Sequence, residues 1–401
     1  MSDKVFNRWI VVVGALIIQM CLGVLYSWSV FLKPLMALFE WSKTDASIAY
    51  SLSLATFAVV MVFAGFWQDK KGPRLVASVG GVVMGLGFLL ASKTTSLTWL
   101  YLSYGVLGGA GVGLAYVCPI AACVKWFPDK RGLISGLAVA GFGAGSLVFA
   151  PLAAKLIVSV GVLSTFFYLG VIFIIAVVLG AQLLRNPPEG YVPEGWSPPT
   201  GKDGKKSVCD HSWREMLKTR QFYLMWLMFC FAALAGLMVI GHLAAFGKES
   251  GLDAETAAAA VGVLAIFNGA GRIVWGAISD KIGRTRTLLS MYLINGLIML
   301  LLIKMGGSFI TLAAASAVIG FCFGGNFSMF PSLTADYFGT KHVGINYGWV
   351  FTSYGIGGLA GPILGARVYD ATQSYEMAFI TAGVLCFIAA GMSFLTKPPK
   401  E

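Results

Sequence analysis

Charge is what this chain has least of. Charged residues make up 12% of its 401 residues, about half the share of an ordinary soluble domain. That scarcity excludes a soluble globular protein. Histidine is rarer still, at three residues, and two of them, His211 and His342, fall outside the apolar runs. Of seven cysteines, six lie within apolar runs and Cys209 lies in a central polar stretch. Their spacing suggests neither a metal site nor a disulfide framework, and they read as small buried hydrophobes. There is no His/Cys/Asp cluster, nucleotide loop or metal motif, so an enzyme, a cofactor and a bound metal are not expected. Ten-residue segments of alternating polar and apolar residues are missing, which excludes an outer-membrane barrel. No Asp or Glu lies deep in any apolar run, so a protonatable carboxylate relay is missing too.

What the chain does have is long apolar sequence. Hydrophobic residues reach 57%, in runs near the ~20 residues that a spanning helix needs. The runs predict twelve transmembrane helices, at 9–32, 45–67, 75–92, 97–125, 132–157, 162–184, 222–246, 254–278, 287–303, 308–335, 343–366 and 375–396. The expected fold is an all-α membrane protein. The first run is too long for a signal peptide and has no small-residue cleavage site after it. With the N-terminus inside, the inner segments carry 21 Lys and Arg and the outer loops 7, and only Arg272 remains. That asymmetry puts both termini in the cytoplasm. The net charge of +11 is therefore a topology signal, and a nucleic-acid partner is not expected.

The chain repeats itself. Residues 65–74, GFWQDKKGPR, return at 276–286 as GAISDKIGRTR, an offset of 211. Trp126-Phe127 recurs as Tyr337-Phe338 at the same offset, while Pro119, Gly136, Gly143 and Gly145 recur at 212 as Pro331, Gly348, Gly355 and Gly357. Two homologous six-helix halves follow, 1–185 and 221–401, joined by a polar, proline-rich and basic linker at 186–220 that should run along the cytoplasmic surface. Parallel halves with a binding site between them are an established transporter plan.

The two G-x-x-x-D-K-x-G loops resemble the cytoplasmic loop motif of the major facilitator superfamily. The resemblance implies gating by Asp69, Lys70 and Arg74 in the first loop and by Asp280, Lys281 and Arg284 in the second. A narrower likeness covers nearly the whole chain. Residues 126–141, WFPDKRGLISGLAVAG, are similar to the segment joining helices 4 and 5 of the oxalate/formate antiporter family and to a stretch of monocarboxylate transporters. PPEGY at 187–191 and MLKTRQF at 216–222 fit the first family as well. These matches imply transport of small carboxylates.

Arg272 is the centre of the candidate site. It lies in residues 257–278, which hold no other charge, and about 12 Å along a helix before Asp280. A cation near the middle of the bilayer is costly and usually faces a bundle interior or a wet cavity. Its planar fork of donors matches a carboxylate, and both resembled families carry a substrate-binding Arg in this helix. Asn268, four residues earlier, shares its face, free to bond either a substrate or a neighbouring helix. Depth along the helices selects Tyr116 as a hydroxyl partner and Phe327, Phe351 and Tyr354 as pocket walls. Leu25, in the polar break Gly23–Ser27, is a candidate wall for a short alkyl chain. His242, near the outer end of the seventh span, is the one histidine inside a span. It is a candidate anion or proton site or an ordinary interfacial histidine.

Two departures from the resembled families narrow the substrate. The oxalate-transporting branch places a Lys where this chain has Tyr354, so one carboxylate suits the site better than two. Animal-type monocarboxylate carriers place an Asp where this chain has Asn268. The expectation is a monomeric secondary transporter in the cytoplasmic membrane of a prokaryote. Its partners are a monocarboxylate anion such as lactate, pyruvate or acetate, a proton and the surrounding lipids. Anion exchange is the alternative coupling and a non-transporting carboxylate sensor the alternative class. A channel is disfavoured because charge rings are missing.

Overall fold

A bilayer offers the backbone no water, so each crossing segment satisfies its own N–H and C=O groups by forming a helix. The computed structural model describes residues 7–197 and 210–399. Cys209, Lys4 and Lys400, which entered the cysteine and charge readings, lie outside the described residues. Among the described residues twelve long helices follow one another: α1 Trp9–Phe39, α2 Lys43–Lys71, α3 Pro73–Ala91, α4 Leu97–Trp126, α5 Arg131–Val160, α6 Val162–Gln182, α7 Arg220–Glu249, α8 Ala254–Ile282, α9 Arg284–Leu302, α10 Phe309–Phe338, α11 Val343–Thr372 and α12 Glu376–Leu395. No strand occurs among the described residues. Eleven of the helices are both long and apolar enough to cross a membrane. The exception is α11, whose 30 residues span about 45 Å but include Asn346, Tyr347, Thr352, Ser353 and Tyr354.

Two helices depart from regular geometry. In α1 the chain tightens to a 3₁₀ turn over Gly23–Ser27, at the polar break seen in the sequence. Gly23 sits there against the backbone carbonyl of Phe142, where a Cβ has no room. In α4 the stretch Tyr101–Gly108 widens into a π-helix, for which no sequence signal stands out. The six cysteines of the spans are free and buried.

The chain forms two compact units. The first comprises Met1–Asp129, Leu137–Ser207 and Thr340–Gly348, and the second Lys130–Gly136, Val208–Gly339 and Trp349–Glu401. The expected cut at the linker is therefore modified by two short exchanged segments, the first residues of α5 and of α11. The reason is local. In the second unit Gly132 and Gly136 lie against the carbonyls of Gly276 and Arg272, and in the first unit Gly344 and Gly348 lie against Gly65 and Val62.

Within each unit the packing follows the repeat. In the first, α2 packs on α4, α3 on α4 and α6, and α1 on α6; in the second, α8 packs on α10, α9 on α10 and α12, and α7 on α12. Glycine makes the closest of these contacts. Gly109 and Gly113 of α4 press on the carbonyls of Ser53 and Phe57, and Gly320 and Gly324 of α10 press on those of Leu264 and Asn268. Glycine and carbonyl positions both recur at an offset of 211, so backbone contacts as well as sequence are duplicated. Without a hydrophobic drive between helices in lipid, such small-residue contacts supply close van der Waals packing. Gly72 and Gly283 turn the chain from α2 to α3 and from α8 to α9 at φ of 86° and 90°, a conformation costly for a residue with a Cβ.

Gly324 supports the backbone of Asn268, and overpacking a tight site costs about 1–3 kcal/mol. Gly324→Leu should therefore lower the thermal unfolding midpoint of the detergent-purified protein, measured by tryptophan fluorescence. Gly262→Leu, at a position where an added Cβ would meet no heavy atom within 4 Å, should leave it unchanged.

Candidate functional site

In the second unit, Arg272 is only 1% exposed and is held from two sides. Its Nε donates to Asn268 Oδ1 at 3.1 Å, a bond that the i, i+4 spacing on α8 allows. Its guanidinium carbon lies 4.5 Å from the centroid of the Phe327 ring on α10. A cation over an aromatic face gains about 2 kcal/mol when desolvated. Asn268 thus bonds within its own helix through Oδ1 and orients the arginine.

Phe327 belongs to an aromatic cluster that spans three helices. Tyr354 of α11 lies 5.2 Å from Phe327 and 5.1 Å from Phe351, centroid to centroid. Phe229 of α7 lies 6.0 Å from each of Phe327, Phe351 and Tyr354 and stacks on Phe330 at 4.3 Å. Arg272, Asn268, Phe327, Phe351 and Tyr354, selected by depth along their helices, therefore do come together. Phe229 was missed, because a position count along α7 does not distinguish it from its neighbours Phe222 and Phe231.

In the first unit, Tyr116 is 1% exposed and packs edge-on against Phe57 at 5.0 Å and Phe142 at 5.4 Å. Leu25 is equally buried, within the 3₁₀ turn of α1. The repeat relates these residues to the arginine cluster. At an offset of 211, Phe57 corresponds to Asn268, Met61 to Arg272 and Tyr116 to Phe327. The two units carry the same positions, apolar and aromatic in one and charged in the other.

His242 is not part of the arginine cluster. It sits 13 residues beyond Phe229 on α7, about 20 Å along the helix. Its Nε2 pairs with the carbonyl oxygen of Pro362 at 3.0 Å, and its ring lies 5.3 Å from that of Tyr375. This bond ties α7 to α11.

The repeated loops form two hydrogen-bond networks of different chemistry. The Asp69 carboxylate accepts the backbone N–H groups of Gly344 at 3.2 Å and Ile345 at 2.9 Å, with Lys125 Nζ at 3.5 Å. The Asp280 carboxylate accepts those of Gly132 and Leu133, each at 2.8 Å, and Arg284 Nη1 at 2.7 Å. Each carboxylate meets N–H groups in the first turn of a helix, α11 or α5, which have no partner inside the helix and lie at its positive dipole end. In the second network Arg284 Nε also bonds Asp336 at 2.8 Å, and Arg131 Nη1 bonds the same carboxylate at 2.6 Å. Arg284 further donates to Ser279 Oγ.

Three of the expected gating residues stand apart from these networks. Lys70 lies over the Phe66 ring at 4.2 Å, Arg74 donates to the carbonyl oxygen of Gln182 at 2.9 Å, and Lys281 is exposed. Lys125, Arg131 and Asp336 were missed as members of these networks. For Lys125 and Asp336 the signal was the offset itself, since Lys125 corresponds to Asp336 and Asp69 to Asp280; Arg131 has no such counterpart.

Comparison with known proteins accords with this architecture. The model of the Major Facilitator Superfamily matches residues 9–303 and 243–401. The chain is 34% identical over 354 residues to an uncharacterized MFS-type transporter, YhjX, of Escherichia coli (strain K12), covering 88% of this chain and 86% of that one. It is 32% identical over 400 residues to the oxalate:formate antiporter of Oxalobacter formigenes, covering 98% and 92%. It is 29% identical over 395 residues to monocarboxylate transporter 13 of Rattus norvegicus, covering 98% and 89%. Its fold matches the crystal structure of the MFS transporter FucP in the outward conformation with a TM-score of 0.74 at 16% identity, over 98% of this chain and 100% of that one. With its duplicated six-helix pattern and these matches, the chain belongs to the Major Facilitator Superfamily and is an integral membrane transporter.

Proposed function

We propose that this transporter carries a small monocarboxylate of the lactate, pyruvate or acetate type, by alternating access in the prokaryotic cytoplasmic membrane. Both termini then lie in the cytoplasm, and the protein acts as a monomer. The observation that carries the reading is Arg272, a buried cation oriented by Asn268 and backed by Phe327. A carboxylate neutralises it with charge-assisted bonds that gain strength in a low dielectric. Phe327 and Phe351 supply apolar walls for a short chain, and Tyr354 supplies a hydroxyl donor. Support also comes from relatives described as an oxalate:formate antiporter and as monocarboxylate transporters.

Proton symport is the coupling we favour. A carboxylate on Arg272 forms a neutral pair, and a neutral site reorients through lipid at lower cost than a charged one. The surroundings of His242, a backbone carbonyl and the Tyr375 ring, give no support to a proton relay there. The proton then rides on the substrate's own carboxyl group after it leaves the guanidinium. Anion exchange is the second reading, supported by the antiporter among the relatives.

Arg272→Ala should cut uptake of radiolabelled monocarboxylate into proteoliposomes by roughly 100-fold, the loss expected for about two charged hydrogen bonds. Arg272→Lys keeps the charge without the fork and should also transport poorly. Wild-type uptake by Arg272→Ala would refute the site. Unlabelled oxalate should compete far more weakly than lactate or acetate; equal competition would remove the monocarboxylate preference.

We further propose the Asp69 and Asp280 networks as cytoplasmic gates. Asp280→Asn leaves a single acceptor oxygen for two backbone N–H groups and Arg284. Labelling of a cysteine at position 133 by a membrane-impermeant maleimide should accelerate in that variant. An unchanged labelling rate would assign Asp280 a static role.

A further inference from the structure

In the second unit, two segments outside the long helices are tied to the end of α10. The His211 N–H donates to the Phe338 carbonyl oxygen at 3.0 Å, and the Tyr337 hydroxyl donates to that of Thr396 at 2.9 Å. The first segment leads into α7 and the second leaves α12. Together with the first turn of α7 they line a cavity of about 480 Å³. Its polar wall is His211, Arg220, Gln221 and Lys397, and its apolar wall is Leu224, Leu395 and the Pro398-Pro399 pair. All of these residues belong to the second unit. The first unit makes an equivalent tie, from Trp126 Nε1 to the Arg185 carbonyl oxygen at 2.7 Å, and there Pro187-Pro188 matches Pro398-Pro399. At the same offset, however, Trp9 stands for Arg220 and Asn186 for Lys397. The cation that precedes α1, Arg8, is neutralised by Asp129 at 2.7 Å. Arg220 and Lys397 are exposed, and among the described residues neither pairs with a carboxylate.

No Asp or Glu lines this cavity. Asp210 and Glu215 line an adjoining one of about 380 Å³, beside Lys218, and the Glu215 carboxylate is taken by the Ser212 N–H at 2.8 Å and Oγ at 2.9 Å. A guanidinium fork and an ammonium without an acid suit a phosphate diester. A headgroup that brings its own ammonium finds no carboxylate to receive it. The position of the cavity favours a lipid over a soluble phosphate. It lies where α7 begins, at Arg220, and where α12 ends, at Leu395. Tyr223, Phe394 and Leu395 beside it are exposed apolar side chains, a surface that meets acyl chains in a bilayer. We propose that this cavity binds the headgroup of an anionic phospholipid of the phosphatidylglycerol type, with Arg220 and Lys397 on the phosphate and Gln221 on the glycerol hydroxyls. Basic pockets at helix ends on the cytoplasmic side recognise acidic headgroups in this way, and the orientation proposed above puts the cavity on that side. The site is independent of which substrate is carried.

The test is native mass spectrometry of the full chain in neutral detergent, titrated with phosphatidylglycerol and phosphatidylethanolamine of identical acyl chains. The first phosphatidylglycerol should bind at least about tenfold more tightly than the first phosphatidylethanolamine, a difference of about 1.4 kcal/mol. The double variant Arg220→Gln/Lys397→Gln should lose that preference. The double variant Lys43→Gln/Lys304→Gln, which removes the same charge from two other exposed lysines, should keep it. Equal binding of the two lipids to the wild-type protein overturns the inference, whether or not the variants fold. So does a preference that survives in Arg220→Gln/Lys397→Gln, or one that disappears in both double variants alike. Soluble glycerophosphoglycerol should fail to displace the bound lipid at equal concentration; displacement would assign the cavity to a free phosphate ester and overturn the lipid assignment.

Discussion

A buried cation deep within a spanning helix sets the terms for this molecule. Placing an arginine at the centre of a spanning helix costs about 2.5–3.5 kcal/mol on insertion scales, and Arg272 is nearly inaccessible as well. The helices around it answer that cost. Asn268 bonds its Nε, Phe327 covers its face, and Gly324 and Gly271 let α8 and α10 approach until backbone meets backbone. The arginine is therefore held in one orientation, which reduces the ordering cost of the anion binding proposed for it.

The scaffold is symmetric in a way the chemistry is not. Glycine-on-carbonyl contacts, helix pairings and the positive-φ turns at Gly72 and Gly283 all recur at one offset. On that common frame the first half carries Phe57, Met61 and Tyr116 where the second carries Asn268, Arg272 and Phe327. The two networks differ in the same manner. Lys125 faces Asp69 in one, while its counterpart Asp336 requires Arg131 and Arg284 in the other, with Pro73 at the position equivalent to Arg284. The second network therefore holds more charge-assisted bonds than the first.

Helix order and approximate bounds were legible in the sequence because lipid penalises any other backbone. Helix ends were less so. α1 continues past 32 through Lys33 and Pro34 to Phe39, and α11 past 366 to Thr372, since helices outlast the hydrocarbon and their polar ends lack the apolar signal. Counting residues from charged ends placed Arg272, Phe327, Phe351 and Tyr354 at one level, and rise per residue makes that count sound within a straight helix. It could not find Phe229, which is one of several phenylalanines on α7, nor the partners of Asp336, which come from α5 and α9. His242 was singled out by rarity, a weaker warrant than depth, and its partner proved to be the Pro362 carbonyl.

The central claim is a contact between the Arg272 guanidinium and a substrate carboxylate. Solid-state NMR can measure it directly, by rotational-echo dephasing between [1-¹³C]lactate and protein labelled with ¹⁵N in its arginine side chains, in lipid bilayers. Strong dephasing is expected at a ¹³C–¹⁵N distance of about 3.5–4 Å, that of a hydrogen-bonded carboxylate–guanidinium pair, together with its loss in Arg272→Lys. Bound lactate that shows no such dephasing, or shows it unchanged in Arg272→Lys, would contradict the claim.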